Sequence, residues 1–327
     1  MILEHCEVWS TVSDLGHVLV LAGGLSAERA VSLRSGERVL DALRDVGVDA
    51  DLADADAALL PAITADPPAA VFPAIHGACG EDGSIREVLS LLSVPYVGST
   101  PSASRSAFDK PTAKAVVAAA GLRTPASVTL PREMFHDLGA SGVLERVVAR
   151  LGLPLFVKPA RGGSALGATR VRTAAELPNA MMTCFGYGDT ALVEQFVSGT
   201  EVAVGVLDLG DGAHPLPPVE IHPLGGSYDY AARYTAGQTE FYAPARLPPD
   251  LTAAASAAAV TAHVALGLRD LSRTDLIVSG AEVYFLEVNV APGMTETSTL
   301  PMALAAAGRD LGVTCRELLR IAAARGD

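Results

Sequence analysis

Positive charge is scarce in this chain, and lysine is the scarcest form of it. Only 24 Lys and Arg residues stand against 37 Asp and Glu, a net charge of −13. Nucleic-acid binding relies on clustered cations, so nucleic acid is excluded as the main partner. The four cysteines, Cys6, Cys79, Cys184 and Cys315, lie far apart and form no C-x-x-C pair. That excludes a zinc or disulfide framework and points to a reduced compartment. No run of about eighteen residues is free of charged or polar breaks, so no membrane span is expected. Glu4 and Glu7 stand where a secretion signal carries basic residues, which makes the cytoplasm the expected location. Both G-x-x-x-x-G-K-[ST] and G-x-G-x-x-G are missing, so neither a Walker loop nor a dinucleotide turn is expected.

The shortage of lysine is itself a signal. Only Lys110, Lys114 and Lys158 occur, so most cations are arginine. A compact ammonium suits a phosphate contact, and the three either mark such contacts or are merely three lysines. Half of the 327 residues are apolar, enough for two or three domains around large cores.

Residues 1–16 lack a period and form an N-terminal extension; Trp9, the only tryptophan, has no assignable role. Strands are expected over residues 17–21, 48–52, 71–75 and 95–98, with helices between, as in a parallel α/β sheet. Gly23-Gly24-Leu25-Ser26 turns into a helix over 27–46, with Ser26 as N-cap. Glu28 in its first turn is either a solvated acid favoured by the macrodipole or a seat for a ligand's ammonium. His76 stands at a strand's carboxyl end, where open α/β sheets bind ligands, and is either ligand-facing or structural. Cys79 reads as a space-filling residue, since no basic partner is adjacent. Asp109 caps a helix beginning Lys110-Pro111, and Arg123-Thr124-Pro125 opens a second domain.

Beyond that boundary Leu155 to Val171 reads as strand, glycine loop, strand. Gly162, Gly163 and Gly167 let backbone N–H groups approach an anion, with Lys158 at the entrance; a plain tight turn is the alternative. Glu194, inside an apolar strand, needs a donor, which an adenosine group or a backbone N–H could supply. Residues 223–244 show neither helical nor strand period. They carry Tyr228, Tyr230, Tyr234, Phe241 and Tyr242, too aromatic for a linker, and are expected to form a lid.

Near the end, Asp275–Val278 and Val283–Val290 flank a turn and read as a β-hairpin. Alternation puts Glu287 and Asn289 on one face. A three-residue loop, Gly280 to Glu282, sets Asp275 opposite Glu287 and Arg273 opposite Asn289; a two-residue turn would turn Asp275 away. Two facing carboxylates and an amide suit Mg²⁺, unless the face is simply wet.

These motifs in order resemble the D-alanine-D-alanine ligases of the ATP-grasp superfamily, over residues 17 to 325. The resemblance rests on Gly-Gly-Leu-Ser-Ala-Glu28 and His76-Gly-x-x-Gly-Glu-Asp-Gly83. It continues through Asp109-Lys110, Lys158-Pro159 with Ser164, Glu194 with Glu201, and Tyr228-Asp-Tyr-x-x-x-Tyr234. Arg273-x-Asp275 and Glu287-x-Asn289-x-x-Pro-Gly293-Met294-Thr295 with Ser298 complete it. It implies a three-domain α/β ATP-grasp fold: a substrate domain over 17–122, a central domain over 123–200 and a C-terminal domain over 201–327. It also implies ATP held by Lys110, Lys158 and Arg233 at the phosphates and by Glu194, Gln195, Val197 and Glu201 at the adenosine. Two Mg²⁺ or Mn²⁺ ions would sit on Asp275, Glu287 and Asn289.

The implied reaction is ATP-dependent joining of two D-alanines through an acyl phosphate, for peptidoglycan precursors. Glu28 would hold the first ammonium, linked through Ser164 to Tyr234 in the closed lid. Arg273 and the Gly293 N–H would stabilise the oxyanion, Ser298 would bind the second carboxylate, and His76 would line the site. The implied partners are small molecules and a second copy of the chain in a homodimer. Arg233, Gln195, Ala165, Thr297 and Thr299 depart from residues frequent in the family, the last two bearing on the second substrate. The competing readings are the same chemistry with D-serine or D-lactate, a non-wall dipeptide, and a catalytically silent nucleotide-binding module.

Overall fold

The computed structural model describes residues 15–225 and 237–326. The first sheet is parallel, in the order β2-β1-β3: β1 (Val18–Ala22), β2 (Ala50–Asp54) and β3 (Ala70–Pro73). β1 and β3 are apolar throughout because helices cover the sheet, as parallel sheets require. These helices are α1 (Arg29–Asp45), α2 (Leu59–Ala65), α3 (Ala78–Glu81) and α4 (Ser84–Leu91). Two details differ from expectation. The strand expected over 95–98 reduces to one bridge, Val71 to Tyr96, before Gly98 turns the chain at φ +110°. α1 starts two residues late because the Ser26 hydroxyl does not cap it by bonding into the helix. It accepts from the Glu28 N–H at 3.2 Å and donates to the His76 carbonyl at 2.9 Å, tying two loops together.

α5 (Pro101–Phe108) and α6 (Lys110–Ala119) follow, each N-capped by a side chain: Thr100 accepts from Ala103 N–H and Asp109 from Thr112 N–H. Their small apolar residues, among them Ala107, Ala113 and Val117, join the core of the last sheet. The second sheet comprises β4 (Ser127–Pro131), β5 (Leu155–Pro159), β6 (Thr169–Val171) and β7 (Thr190–Gln195), antiparallel in the order β4-β7-β5-β6. α7 (Glu133–Leu138), α8 (Ala140–Leu151) and α9 (Leu177–Phe185) accompany it, with Leu144, Leu155, Val171, Leu177 and Val193 in its core.

The third sheet is also antiparallel. It contains β8 (Thr200–Asp208), β9 (Ala213–Pro215), β10 (Val219–Pro223), β11 (Thr239–Tyr242), β12 (Leu271–Ser279) and β13 (Glu282–Asn289). Their order is β11-β10-β8-β12-β13, with β9 on β8. α10 (Pro249–Ala265) lays Ala255, Ala259 and Ala262 on it. α11 (Thr299–Ala306) and α12 (Leu311–Arg325) close the chain, α12 packing against α1. The irregular stretch expected over 223–244 is partly regular: β11 pairs with β10, so Phe241 and Tyr242 are strand residues. Tyr228, Tyr230, Arg233 and Tyr234 lie outside the described residues. Among those described, no helix is long and apolar enough to cross a membrane.

Candidate active site

The β12–β13 hairpin brings Asp275 opposite Glu287 and Arg273 opposite Asn289. The pairing is the expected one, but its cause is not. Ser279 pairs with Glu282, leaving a two-residue turn, Gly280-Ala281, in which Gly280 takes φ +60°. Val278 to Leu276 then pair regularly with Val283 to Phe285, a register that would set Asp275 against Leu286. A bulge intervenes: the register shifts between Asp275 and Leu276, so Leu286 and Glu287 together oppose Asp275. Consecutive side chains thereby face the same cleft, and Leu286, Glu287 and Asp275 all line it.

Like charges facing each other in a cleft demand cations, and the protein supplies them. Arg273 grips Asp275 with two bonds of 2.7 and 2.8 Å. Lys110 Nζ lies 3.3 Å from Glu287. Asn289 Oδ1 accepts from the Ala291 N–H at 2.8 Å, which fixes its amide. Two carboxylates and an amide oxygen at one cleft wall form a hard donor set that fits a small divalent cation.

All three lysines meet here. Lys110, Lys114 and Lys158 are buried, at 7%, 4% and 8% exposure. Glu194 receives Lys114 at 2.6 Å and Lys158 at 2.7 Å. Burial alone would raise the Glu194 pKa, but the two ammonium groups outweigh it and hold the carboxyl below its usual range. Burial also works against the Lys158 charge, and Glu194 with Glu287 more than restores it. Lys114 stays lowered, because burial exceeds what Glu194 returns. The donors that Glu194 needs are therefore lysines rather than a backbone N–H. Lys110 also donates to the Gly162 carbonyl at 2.6 Å, pinning the glycine loop across the cleft.

Across that loop lies Glu28, buried and hydrogen-bonded by the Ser164 hydroxyl. It is not the solvated first-turn acid. Gly163 runs against it so closely that an added Cβ would stand 3.0 Å from its Oε2. Ser164 and Ala165 hold left-handed backbone at φ +52° and +56°, strained for residues with side chains.

His76 bonds to protein through both ring nitrogens. Nδ1 meets the Ala291 carbonyl at 3.0 Å, an acceptor only, so Nδ1 carries the hydrogen. Nε2 then accepts from the Ser35 hydroxyl at 2.8 Å. Burial above all lowers the pKa to about 4, leaving a neutral ring. Its ring edge lines the pocket, but its nitrogens serve the 290–294 segment. Ser35 also accepts from the Met294 N–H at 3.1 Å, Arg38 donates to the Met294 carbonyl at 3.1 Å, and Arg86 to that of Val290 at 3.2 Å. No sequence motif assigns these roles to Ser35, Arg38 or Arg86. Ser35 lies in the stretch Val31-Ser-Leu-Arg-Ser-Gly36 that belongs to the resemblance, whereas Arg38 and Arg86 are marked only by their place on helices that follow the two glycine turns. Cys79 is exposed, not space-filling.

Two connected spaces result. A pocket of about 90 Å³ is lined by Glu28, His76, Arg273, Gly293, Ser298 and Thr299, and also by Glu81, which stands in the His76–Gly83 motif without an assigned role. A cavity of about 420 Å³ is lined by Lys158, Phe156, Glu194, Gln195, Val197 and Glu201. Lys110, Gly162, Gly163, Asp275 and Glu287 border both. Gln195 is largely turned aside, donating to the Leu151 carbonyl at 2.7 Å. Ser298 bonds back to Thr295 at 2.9 Å.

Two antiparallel sheets with a lysine- and carboxylate-lined cleft between them, beside a parallel α/β unit, define the ATP-grasp class of ligases. Residues 116–320 match the family model described as D-ala D-ala ligase C-terminus. A D-alanine-D-alanine ligase of Bordetella petrii is 41% identical over 312 residues, covering 95% of this chain and 93% of that one. One from Anaeromyxobacter is 40% identical over 303 residues, 92% and 95% of the two chains. The solved D-alanine-D-alanine ligase of Bacillus anthracis superposes with a TM-score of 0.79 at 27% identity, covering 94% of this chain and 97% of that one. The VanG D-Ala:D-Ser ligase of Enterococcus faecalis also gives 0.79, at 28% identity and 94% and 99% coverage. The Bacillus anthracis enzyme complexed with ATP gives 0.77, at 25% identity and 95% and 97% coverage. The chain belongs to the D-alanine-D-alanine ligase family of ATP-dependent ligases.

Proposed function

We propose that the protein joins two D-alanines into D-alanyl-D-alanine, with release of ADP and phosphate, as a cytoplasmic step toward peptidoglycan. The observation that carries this reading is the junction of the two spaces. Asp275 and Glu287 stand there with Lys110, between a cavity large enough for a nucleotide and a pocket sized for amino acids.

ATP is held in the larger cavity, as its ATP-complexed relative suggests, with Lys110 and Lys158 toward the phosphates and Glu201, Gln195 and Val197 toward the adenosine. Glu194 orients Lys158 from behind. Asp275, Glu287 and Asn289 hold Mg²⁺, which when bound neutralises phosphate oxygens and polarises the transferred group. In the smaller pocket Glu28, fixed by Ser164, receives the ammonium of the first D-alanine. The carboxylate of that first D-alanine takes the γ-phosphoryl group as ADP leaves, and the amine of the second D-alanine, once deprotonated, attacks the acyl carbon and displaces phosphate. Arg273 and the Gly293 N–H face the oxygen that gains charge in that step, where fixed donors contribute most. Ser298, at the start of α11, addresses the second carboxylate. Division into domains at 122 and 200, closure by Tyr234 and Arg233, and a homodimer belong to the same reading.

The test is Mg²⁺-dependent phosphate release from ATP with D-alanine alone, with D-alanine plus D-serine or D-lactate, and with L-alanine, the products identified by mass. Dipeptide from D-alanine alone is expected, and chelation with EDTA should abolish it. Turnover only with a second partner would keep the mechanism and transfer the specificity to Thr297 and Thr299. ATP binding without turnover would overturn the ligase reading.

A further inference from the structure

One buried acid in the smaller pocket has no part in the reaction described above. Glu81 ends α3 with 7% exposure, as buried as Glu28. Both carboxylates border Gly77. The Gly77 N–H donates to Glu81 Oε1 at 3.0 Å, and a Cβ built on Gly77 would stand 2.8 Å from Glu28 Oε2. Glycine is required here twice over, by that approach and by φ +78°.

Two buried carboxylates that line one pocket and border one glycine favour a positive charge between them. No ion pair to either occurs among the described residues. The neighbouring cations are committed elsewhere: Arg86 on α4 to the Gly80 and Val290 carbonyls, Lys110 on α6 to Gly162 and Glu287, and Arg273 on β12 to Asp275. His76, between β3 and α3, is neutral and bonded at both nitrogens. Lys110 and Arg273 offset the burial of Glu81 only in part, so a further cation is favoured at this place. Burial first, and the Glu28 charge second, raise Glu81 to about 8.

We propose that Glu81 is the second wall of the ammonium seat: the substrate's ammonium lies between Glu28 and Glu81, and Glu81 releases its proton to solvent as the ammonium enters. The idea rests on the reading that an amino acid's ammonium enters beside Glu28. It adds that binding consumes neutral Glu81 and is therefore coupled to pH.

Infrared difference spectroscopy of the whole protein reads this directly. At neutral pH, with a non-hydrolysable ATP analogue and Mg²⁺ present, the free enzyme should show a protonated-carboxyl band that Glu81→Gln lacks. Saturating D-alanine should remove the band, and calorimetry in buffers of different ionisation enthalpy should register about one proton released per site. Propionate, a carboxylate without an ammonium, should leave the band in place when added at concentrations that compete with D-alanine. Gln keeps the acceptor for Gly77, and Glu81→Gln should raise KM for D-alanine roughly tenfold, more than it lowers kcat. A band that is absent from the free enzyme, survives D-alanine, or disappears with propionate overturns the proposal. An enzyme that loses the band with D-alanine yet makes no dipeptide would sink the ligase reading and leave the ammonium seat standing.

Discussion

Glu194 shows how a single residue can be legible in need and illegible in partner. Its place inside an apolar strand says that it needs a donor. The donors are Lys158 and Lys114, the latter 80 positions away in sequence, and no local pattern encodes that pairing. Glu194→Ala would leave two buried ammonium groups without their counterion and should lower stability by about 3–5 kcal/mol, read by urea unfolding. His76 invites a pH test. Its folded pKa of about 4 lies below the ordinary 6.5, so the unfolded chain binds more protons between those values. The contribution is complete above about 6.5 and is lost as pH falls toward 4, on the order of 3 kcal/mol in all. Glu81 acts in the opposite direction, its contribution fading as pH rises from about 4.5 to about 8. The difference in unfolding midpoint between wild type and His76→Gln isolates the histidine. It should shrink markedly between pH 7 and pH 4.5.

At the scale of elements, alternation and turn signals locate β1, β2, β3, β5, β6, β12 and β13, because apolar runs bounded by glycine carry their own boundaries, but give no sign of β4, β9, β10 or β11. What they could not carry was the bulge at Leu286, which depends on how β13 twists over β12 rather than on composition. The facing of Asp275 and Glu287 was thus expected from the wrong loop length. Glu287→Gln and Asn289→Ala sit on the hairpin's cleft face, outside the core. Each should lower turnover by more than about tenfold with little change in melting temperature. Near-normal rates at saturating Mg²⁺ would refute the donor set. Helix packing offers a separate check. Gly312 in α12 lies against the Ala42 carbonyl of α1, where any Cβ would overlap backbone. Gly312→Ala should push the two helices apart and lower stability by about 1–3 kcal/mol, with faster amide exchange in α12 as its local signature.

Across the whole molecule, the segment 290–294 issues from the third sheet but is held by the first. Ser35, Arg38, His76 and Arg86 all reach it. Contacts spanning more than 200 positions are invisible to any reading of neighbours, which is why the glycine turns were found and their purpose was not. Ser35→Ala would unpair both His76 and the Met294 N–H. It should lower stability by about 1–3 kcal/mol and reduce kcat more than it raises KM for ATP. An equal loss in both parameters would mean that Ser35 serves packing alone. The three lysines carry a different consequence. Lys110 and Lys158 line the cleft and Lys114 is buried behind Glu194, so the described surface offers no lysine amine to chemical modification. An acylating reagent that reaches a lysine therefore reports on that cleft, so nucleotide occupancy can be titrated by the protection of Lys110 and Lys158 in a mass spectrum, with Lys114 as the internal reference.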